Sequence, residues 1–133
     1  MAHVAFIDST IPTFVTTDCM FYVRFVFVYL QCVQNALDDA GIPIDEIPKN
    51  TGVYSGIGLM DHAVAMCNEA KAMNPYTCTG LSHCVAPNRV SFFYDINGPS
   101  YSVDTACAAS LTAIHLACMA LWNKKCTMAI PGP

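Results

Sequence analysis

Cys107 is the residue whose position in the sequence most favours chemistry. It lies where a β-prone stretch, Ser100–Thr105 (SYSVDT), meets an apolar one, Ala106–Trp122 (ACAASLTAIHLACMALW), which is rich in Ala and Leu. A thiol at the start of a helix faces unpaired N–H groups and the positive end of the helix dipole, and both stabilise a thiolate. The pattern therefore predicts a nucleophilic cysteine at a strand-to-helix junction.

The neighbours of Cys107 suit a reaction at an acyl carbon. Ala106, Ala108 and Ala109 are small and leave space above the sulfur. The backbone N–H of Cys107 could serve as one donor of an oxyanion hole, as at other nucleophile elbows. From position alone, an inert core thiol, as we expect for Cys118, remains the alternative.

The segments around this junction predict an α/β fold. Thr51–Gly58 (TGVYSGIG) is typical of a buried strand that ends in a glycine loop, and Cys126–Ile130 (CTMAI) of another buried strand. The glycines of TGVYSGIG lack the third glycine of a dinucleotide-binding loop, which disfavours a phosphate site. Because Ala106–Trp122 is apolar on every side, we expect a buried central helix between covered strands.

Two earlier segments are harder to assign. The Val, Phe and Tyr content of Met20–Leu30 favours a strand, whereas Leu30–Gly41 has helical periodicity and ends at Gly41 followed by Pro43. Between Thr79 and Tyr94 the apolar spacing is helical, but Pro87 lies inside it. An interior proline predicts a kink or a late helix start.

The composition limits the class of protein. The chain has 133 residues, of which 54% are hydrophobic and 12% charged, so it forms one domain with more apolar surface than a self-contained domain of this size usually has. We expect further chain or a second subunit to cover that surface. A net charge of −4 disfavours nucleic acid. The most apolar stretch, Met20–Leu30, has eleven residues, too few for the roughly 20 that span a bilayer.

Eight cysteines occur without a Cys-x-x-Cys pair or zinc spacing, so we expect no metal site and no disulfide framework. Apart from Cys107, we interpret them as small buried hydrophobic residues. The chain does not open with a secretory signal, and we expect a cytoplasmic location.

Three segments in order resemble one known family. VDTACAASLTAIHLACMAL (Val103–Leu121) is similar to the active-site segment of β-ketoacyl synthase domains of type I polyketide synthases and fatty acid synthases. NRVSFFYDINGPS (Asn88–Ser100) and ALDDAGIPIDEIPKNTGVYSGIG (Ala36–Gly58) resemble the family's preceding segments. The resemblance covers residues 33–133 and leaves residues 1–32 poorly matched, so residues 1–133 are interpreted as one incomplete domain, its N-terminal portion.

The resemblance implies the N-terminal half of a thiolase-like fold, with Cys107 as the acyl-accepting nucleophile of a decarboxylative Claisen condensation. Its substrates would be acyl and malonyl-type thioesters, carried on the phosphopantetheine of an acyl carrier protein domain, with no cofactor or metal bound directly. The full-length enzyme would be a homodimer. In the family, two later histidines stabilise the enolate, and the four histidines of this chain match neither. We therefore expect the chain alone to be inactive in condensation.

The sequence also departs from the family. Residues 19–31 differ from the usual segment, and foreign sequence, from a translated intron or a frame error, is one hypothesis for them. Pro87 replaces a residue that favours a helix, Ala108 and Ala109 stand where Ser is common, and the last residues read IPGP where two glycines are usual. Two alternatives stay open: a thiolase-fold acyltransferase of another family, and a non-catalytic fragment that only folds or dimerises.

Overall fold

A computed structural model describes residues 3–4, 20–58 and 82–132, with only the backbone given for residues 3–4 and 20–25. Its centre is a parallel sheet of four strands in the order β1-β4-β2-β3. The strands are β1 (His3–Val4), β2 (Thr51–Gly56), β3 (Ser100–Val103) and β4 (Met128–Gly132). The predicted strands at Thr51 and Ser100 are confirmed, and the one predicted at Cys126–Ile130 begins two residues later.

Helices cover both faces of this sheet. Along β2, Val53 faces one hydrophobic core and Tyr54 the other, and in β4 Ile130 and Ala129 divide in the same way. The first core includes α1 (Met20–Asp39) and α2 (Val85–Phe93), and the second includes α3 (Ala109–Trp122). All five residues of β4 are buried, as the central strands of a doubly covered parallel sheet require. The predicted α/β class is confirmed.

The strand expected at Met20–Leu30 is wrong, because these residues form the first half of α1. Tyr29, Val33 and Leu37 are spaced by four residues and are all buried against the sheet. The ring of Tyr29 occupies the space next to Gly132, where a side chain would have no room. Burial of this helical stripe outweighs the β preference of the residue types. The origin of residues 19–31 as foreign sequence stays a prediction.

The ends of α1 and α2 follow the predicted signals. Gly41 has a φ of +66°, the left-handed conformation that ends a helix, two residues after α1 stops. Helix α2 begins at Val85, so Pro87 falls in its first turn, where the missing N–H has no helical partner to lose. Of the two outcomes expected at Pro87, the structure has the late start, and Pro87 itself is buried.

Helix α3 differs from the expected central helix in how it is covered. Only one stripe of small residues (Ala109, Ala113, Ala117 and Ala120) is buried among the described residues. Leu111 and Trp122 point outward and are 70% and 75% exposed. The expectation of burial on every side is therefore not met by the described chain, because the sheet covers only the alanine face.

The cysteines also differ in part from the expectation of burial. Cys32 and Cys126 are buried and Cys118 is half-buried, but Cys84, at the residue before α2, is exposed. Cys19, Cys67 and Cys78 lie outside the described residues. None of the cysteines in the described ranges forms a disulfide bond.

Candidate active site

Cys107 lies at the junction that the sequence predicts. Strand β3 ends at Val103, a 3-10 turn follows over Ala106–Ala108, and α3 begins at Ala109. Cys107 is the middle residue of that turn and is exposed. The sulfur is therefore neither midway along a helix nor enclosed by the core, and a reagent from solvent can reach it.

Backbone hydrogen bonds hold this turn on both sides of Cys107. The N–H of Ala106 donates to Oδ1 of Asp104 at 3.0 Å, and the N–H of Ala108 donates to the carbonyl of Thr105 at 3.1 Å. The N–H of Ala109 donates to the carbonyl of Ala106. Among the described residues, the N–H of Cys107 donates to no acceptor.

Hydroxyl groups tie the turn to the first part of α3. The Oγ1 atoms of Thr105 and Thr112 lie 2.8 Å apart, and Thr112 Oγ1 also donates to the carbonyl of Ala108 at 3.0 Å. Thr112 thus links the residue after Asp104 with the residue after Cys107. This connection fixes the turn relative to the helix axis.

Gly56 and Gly58 of TGVYSGIG lie against the Cys107 turn and the start of α3. A Cβ at Gly56 would lie 2.6 Å from the carbonyl carbon of Ala109, so the end of β2 contacts the backbone of α3 directly. A Cβ at Gly58 would lie 2.7 Å from Oδ1 of Asp104. These glycines therefore permit close approach to the Cys107 turn.

His115 is not placed for proton transfer with Cys107. His115 is exposed on α3, and eight residues along a helix correspond to about 12 Å. The carbonyl of His83 accepts a hydrogen bond from Ser102 Oγ at 2.7 Å, which places His83 beside β3. His3 is described only as backbone, and His62 lies outside the described residues.

A cavity lined by described residues lies away from Cys107. It measures about 290 Å³ and is formed by Tyr54, Tyr101 and the second half of α3, from Leu116 onward. Leu116 is nine residues beyond Cys107, or about 13 Å of helix. No three metal-binding side chains come together in the described ranges.

Sequence reasoning found Cys107 but missed the residues that shape its turn. From the sequence, Asp104 is only part of a β-prone segment, and Gly56 and Gly58 are only part of a glycine loop. The available signal was an Asp two residues before Ala106, because an Asp side chain commonly accepts a hydrogen bond from the backbone N–H two residues on. Ala108 and Ala109 lie in the turn and at the start of α3.

Comparison with known proteins identifies the family to which a chain with this strand, turn and helix belongs. The family described as beta-ketoacyl synthase, N-terminal domain, matches residues 3–132. The chain belongs to this family. The match runs through α1 and through the Cys107 turn.

Curated relatives of the chain include polyketide synthases. Over 102 residues the chain is 41% identical to lovastatin diketide synthase of Aspergillus terreus and 42% identical to a highly reducing polyketide synthase of Aspergillus niger. Each match covers 76% of this chain and 4% of the relative, so the chain spans a small part of either protein.

Solved ketosynthase structures share the fold. The oxazolomycin ketosynthase domain of Streptomyces albus superimposes with a TM-score of 0.63 at 35% identity, covering 76% of this chain and 18% of that one. A ketosynthase of the bacillaene synthase from Bacillus subtilis also has a TM-score of 0.63, at 32% identity, covering 78% of this chain and 16% of that one. These neighbours confirm the expected fold, the N-terminal part of a ketosynthase.

Proposed function

We propose that Cys107 is the acyl-accepting nucleophile of a ketosynthase that acts in polyketide biosynthesis. The observation that carries the proposal is the exposed thiol in the turn between β3 and α3, in a chain that belongs to the β-ketoacyl synthase family. Because the relatives compared above are polyketide synthases, a polyketide is favoured over a fatty acid as the product. The donors would be acyl and malonyl-type thioesters on the phosphopantetheine arm of an acyl carrier protein domain.

In the first half-reaction, the Cys107 thiolate attacks the thioester carbonyl. The new bond joins Sγ to the acyl carbon, and the bond from that carbon to the carrier sulfur breaks. The proton of the Cys107 thiol ends on the carrier thiol. A negative oxygen forms in between, and the N–H of Cys107 is the donor that this chain offers to it.

In the second half-reaction, the malonyl-type unit loses CO₂ and its α-carbon attacks the Cys107 thioester. A carbon–carbon bond forms, the bond from the acyl carbon to Sγ breaks, and the β-ketoacyl product stays on the carrier. This step needs hydrogen-bond donors for the enolate, and His115 lies too far along α3 from Cys107 to supply one. For the 133-residue chain itself we therefore propose acyl transfer to Cys107 without condensation.

Exposed apolar groups support the proposal that further chain or a second copy covers this domain in a homodimeric enzyme. Tyr101 on the edge strand β3 and Trp122 at the end of α3 are 55% and 75% exposed. None of the described helices is long and apolar enough to cross a bilayer. A cytoplasmic location is part of the proposal.

The proposal is tested by incubating the chain with an acyl-pantetheine thioester and locating the adduct by peptide mass spectrometry. We expect one acyl group on the Cys107 peptide and none in Cys107→Ala. Cys84→Ala is the matched control, because Cys84 is also exposed but precedes α2 at another site, and this variant should retain the adduct. Acylation of Cys84 and Cys107 alike, or of neither, would support the non-catalytic fragment instead.

A further inference from the structure

Ala106, the residue before Cys107, has an unusual backbone. Its φ is +49°, in the left-handed region that L residues avoid. Asp95 and Lys124 also have positive φ in the described chain, but they follow the last turns of α2 and α3, where this conformation is common. Ala106 follows a strand, so its conformation needs another cause.

The side chain of Asp104 is placed to supply that cause. Its Oδ1 accepts a hydrogen bond at 3.0 Å from the N–H of Ala106 itself. The same oxygen lies next to the backbone of Gly58, where a Cβ would approach it to 2.7 Å. The carboxylate thus lies between the loop after β2 and the N–H of the left-handed residue.

The position of the Asp104 carboxylate depends on a glycine at residue 58. Any side chain at residue 58 would displace the carboxylate from Ala106, because only a glycine leaves room for Oδ1 there. Two separate segments, the loop after β2 and the loop after β3, therefore converge on one carboxylate oxygen next to the nucleophile.

We propose that Asp104 is a positioning residue for Cys107: its carboxylate holds Ala106 in the left-handed conformation, which places the Cys107 thiol outward at the start of α3. The inference rests on the proposed function of Cys107 as acyl acceptor. Without the hydrogen bond, Ala106 relaxes toward negative φ, and the direction of the next residue changes with it. A displaced sulfur then meets a thioester less often in the geometry of attack.

The inference predicts a specific pattern among four variants of the 133-residue chain. Asp104→Ala should lower the rate of Cys107 acylation about tenfold, the effect of losing one hydrogen bond to a charged acceptor. Asp104→Asn keeps an acceptor oxygen and should react at close to the original rate. Ala106→Gly should react normally, and the Asp104→Ala/Ala106→Gly double variant should regain most of the lost rate, because glycine adopts positive φ without help.

Two controls separate positioning from charge and from loss of fold. Asp45→Ala removes an exposed carboxylate from the 3-10 turn Ile44–Glu46, which lies before the start of β2 rather than at its end. It should leave the acylation rate unchanged. Alkylation of the exposed Cys84 by iodoacetamide, measured in the same sample, should also be unchanged in every variant.

The outcomes are distinct. If Asp104→Asn is as slow as Asp104→Ala, or if glycine at residue 106 restores nothing, the positioning role is refuted. Far-UV circular dichroism would show whether Asp104→Ala is unfolded. In that case two other acylation rates decide whether Asp104 positions Cys107: that of Asp104→Asn relative to the original chain, and that of the Asp104→Ala/Ala106→Gly double variant. If the original chain accepts no acyl group, the proposed function fails, while iodoacetamide rates at Cys107 across the same variants still decide the role of Asp104.

Discussion

Gly56→Ala should both destabilise the domain and slow the chemistry of Cys107. The added Cβ would lie 2.6 Å from the carbonyl carbon of Ala109 and 2.7 Å from the nitrogen of Ser110. Nonbonded carbon atoms pack best at about 3.5–4.0 Å, so α3 and the end of β2 must separate by roughly 1 Å. Both contacts are with backbone atoms, and no side-chain rotation can relieve them.

The magnitude follows from the cost of overpacking. Extra methyl groups in a tightly packed site cost about 1–3 kcal/mol, and the rigid backbone contacts at Gly56 place this substitution near 3 kcal/mol. At roughly 4 °C per kcal/mol, the midpoint of thermal unfolding should fall by about 12 °C. A shift of 1 Å at the start of α3 should also lower the rate of Cys107 acylation at least about tenfold under conditions where the variant is folded.

Thermal and urea unfolding followed by circular dichroism, together with the mass-spectrometric acylation assay, would measure both effects. Gly41→Asn is the matched control: among described atoms nothing lies within 4 Å of a Cβ there, and Asn tolerates a φ of +66°. It should lose less than about 1 kcal/mol and react normally. A Gly56→Ala protein within 0.5 kcal/mol of the original, as a rough limit, would refute the close packing of β2 on α3.

Two further predictions concern buried residues. Burial raises the pKa of the Tyr29 phenol far above its usual 10.0, so on raising the pH the phenol ionises first in the unfolded chain. The contribution of Tyr29 to the free energy of unfolding is therefore intact below pH 10 and falls above it, by about 1.4 kcal/mol per pH unit. The urea midpoint of the original chain should therefore fall between pH 9 and 11, and it should fall less in Tyr29→Phe, which has no phenol to ionise. The same pH dependence in both proteins would contradict the burial of Tyr29. Pro87→Ala should lower the free energy of unfolding by about 0.4–1 kcal/mol, because proline in the first turn of α2 restricts the unfolded chain without costing a hydrogen bond. Stabilisation by this change, measured by urea unfolding, would show that Pro87 strains the helix.

The local pattern of residues was sufficient to predict where Cys107 lies in the fold and where α1 ends. A β-prone segment followed by an apolar helical one indicated that Cys107 lies at a strand-to-helix junction, and Gly41 marked the end of α1. These features depend on neighbours within a few residues, so the sequence alone contains the information. The resemblance to the family lies in three segments of the sequence, Ala36–Gly58, Asn88–Ser100 and Val103–Leu121.

Tertiary structure decided what depends on distant segments. Met20–Leu30 has β-forming residue types, and it is helical because Tyr29 and its stripe pack on the sheet. Helix α3 is apolar throughout, yet only contact with β2 and β4 determines which face is buried. The roles of Gly56, Gly58 and Asp104 arise only where the loops after β2 and β3 meet beside Cys107, because a close approach between segments about fifty residues apart leaves no local pattern in either.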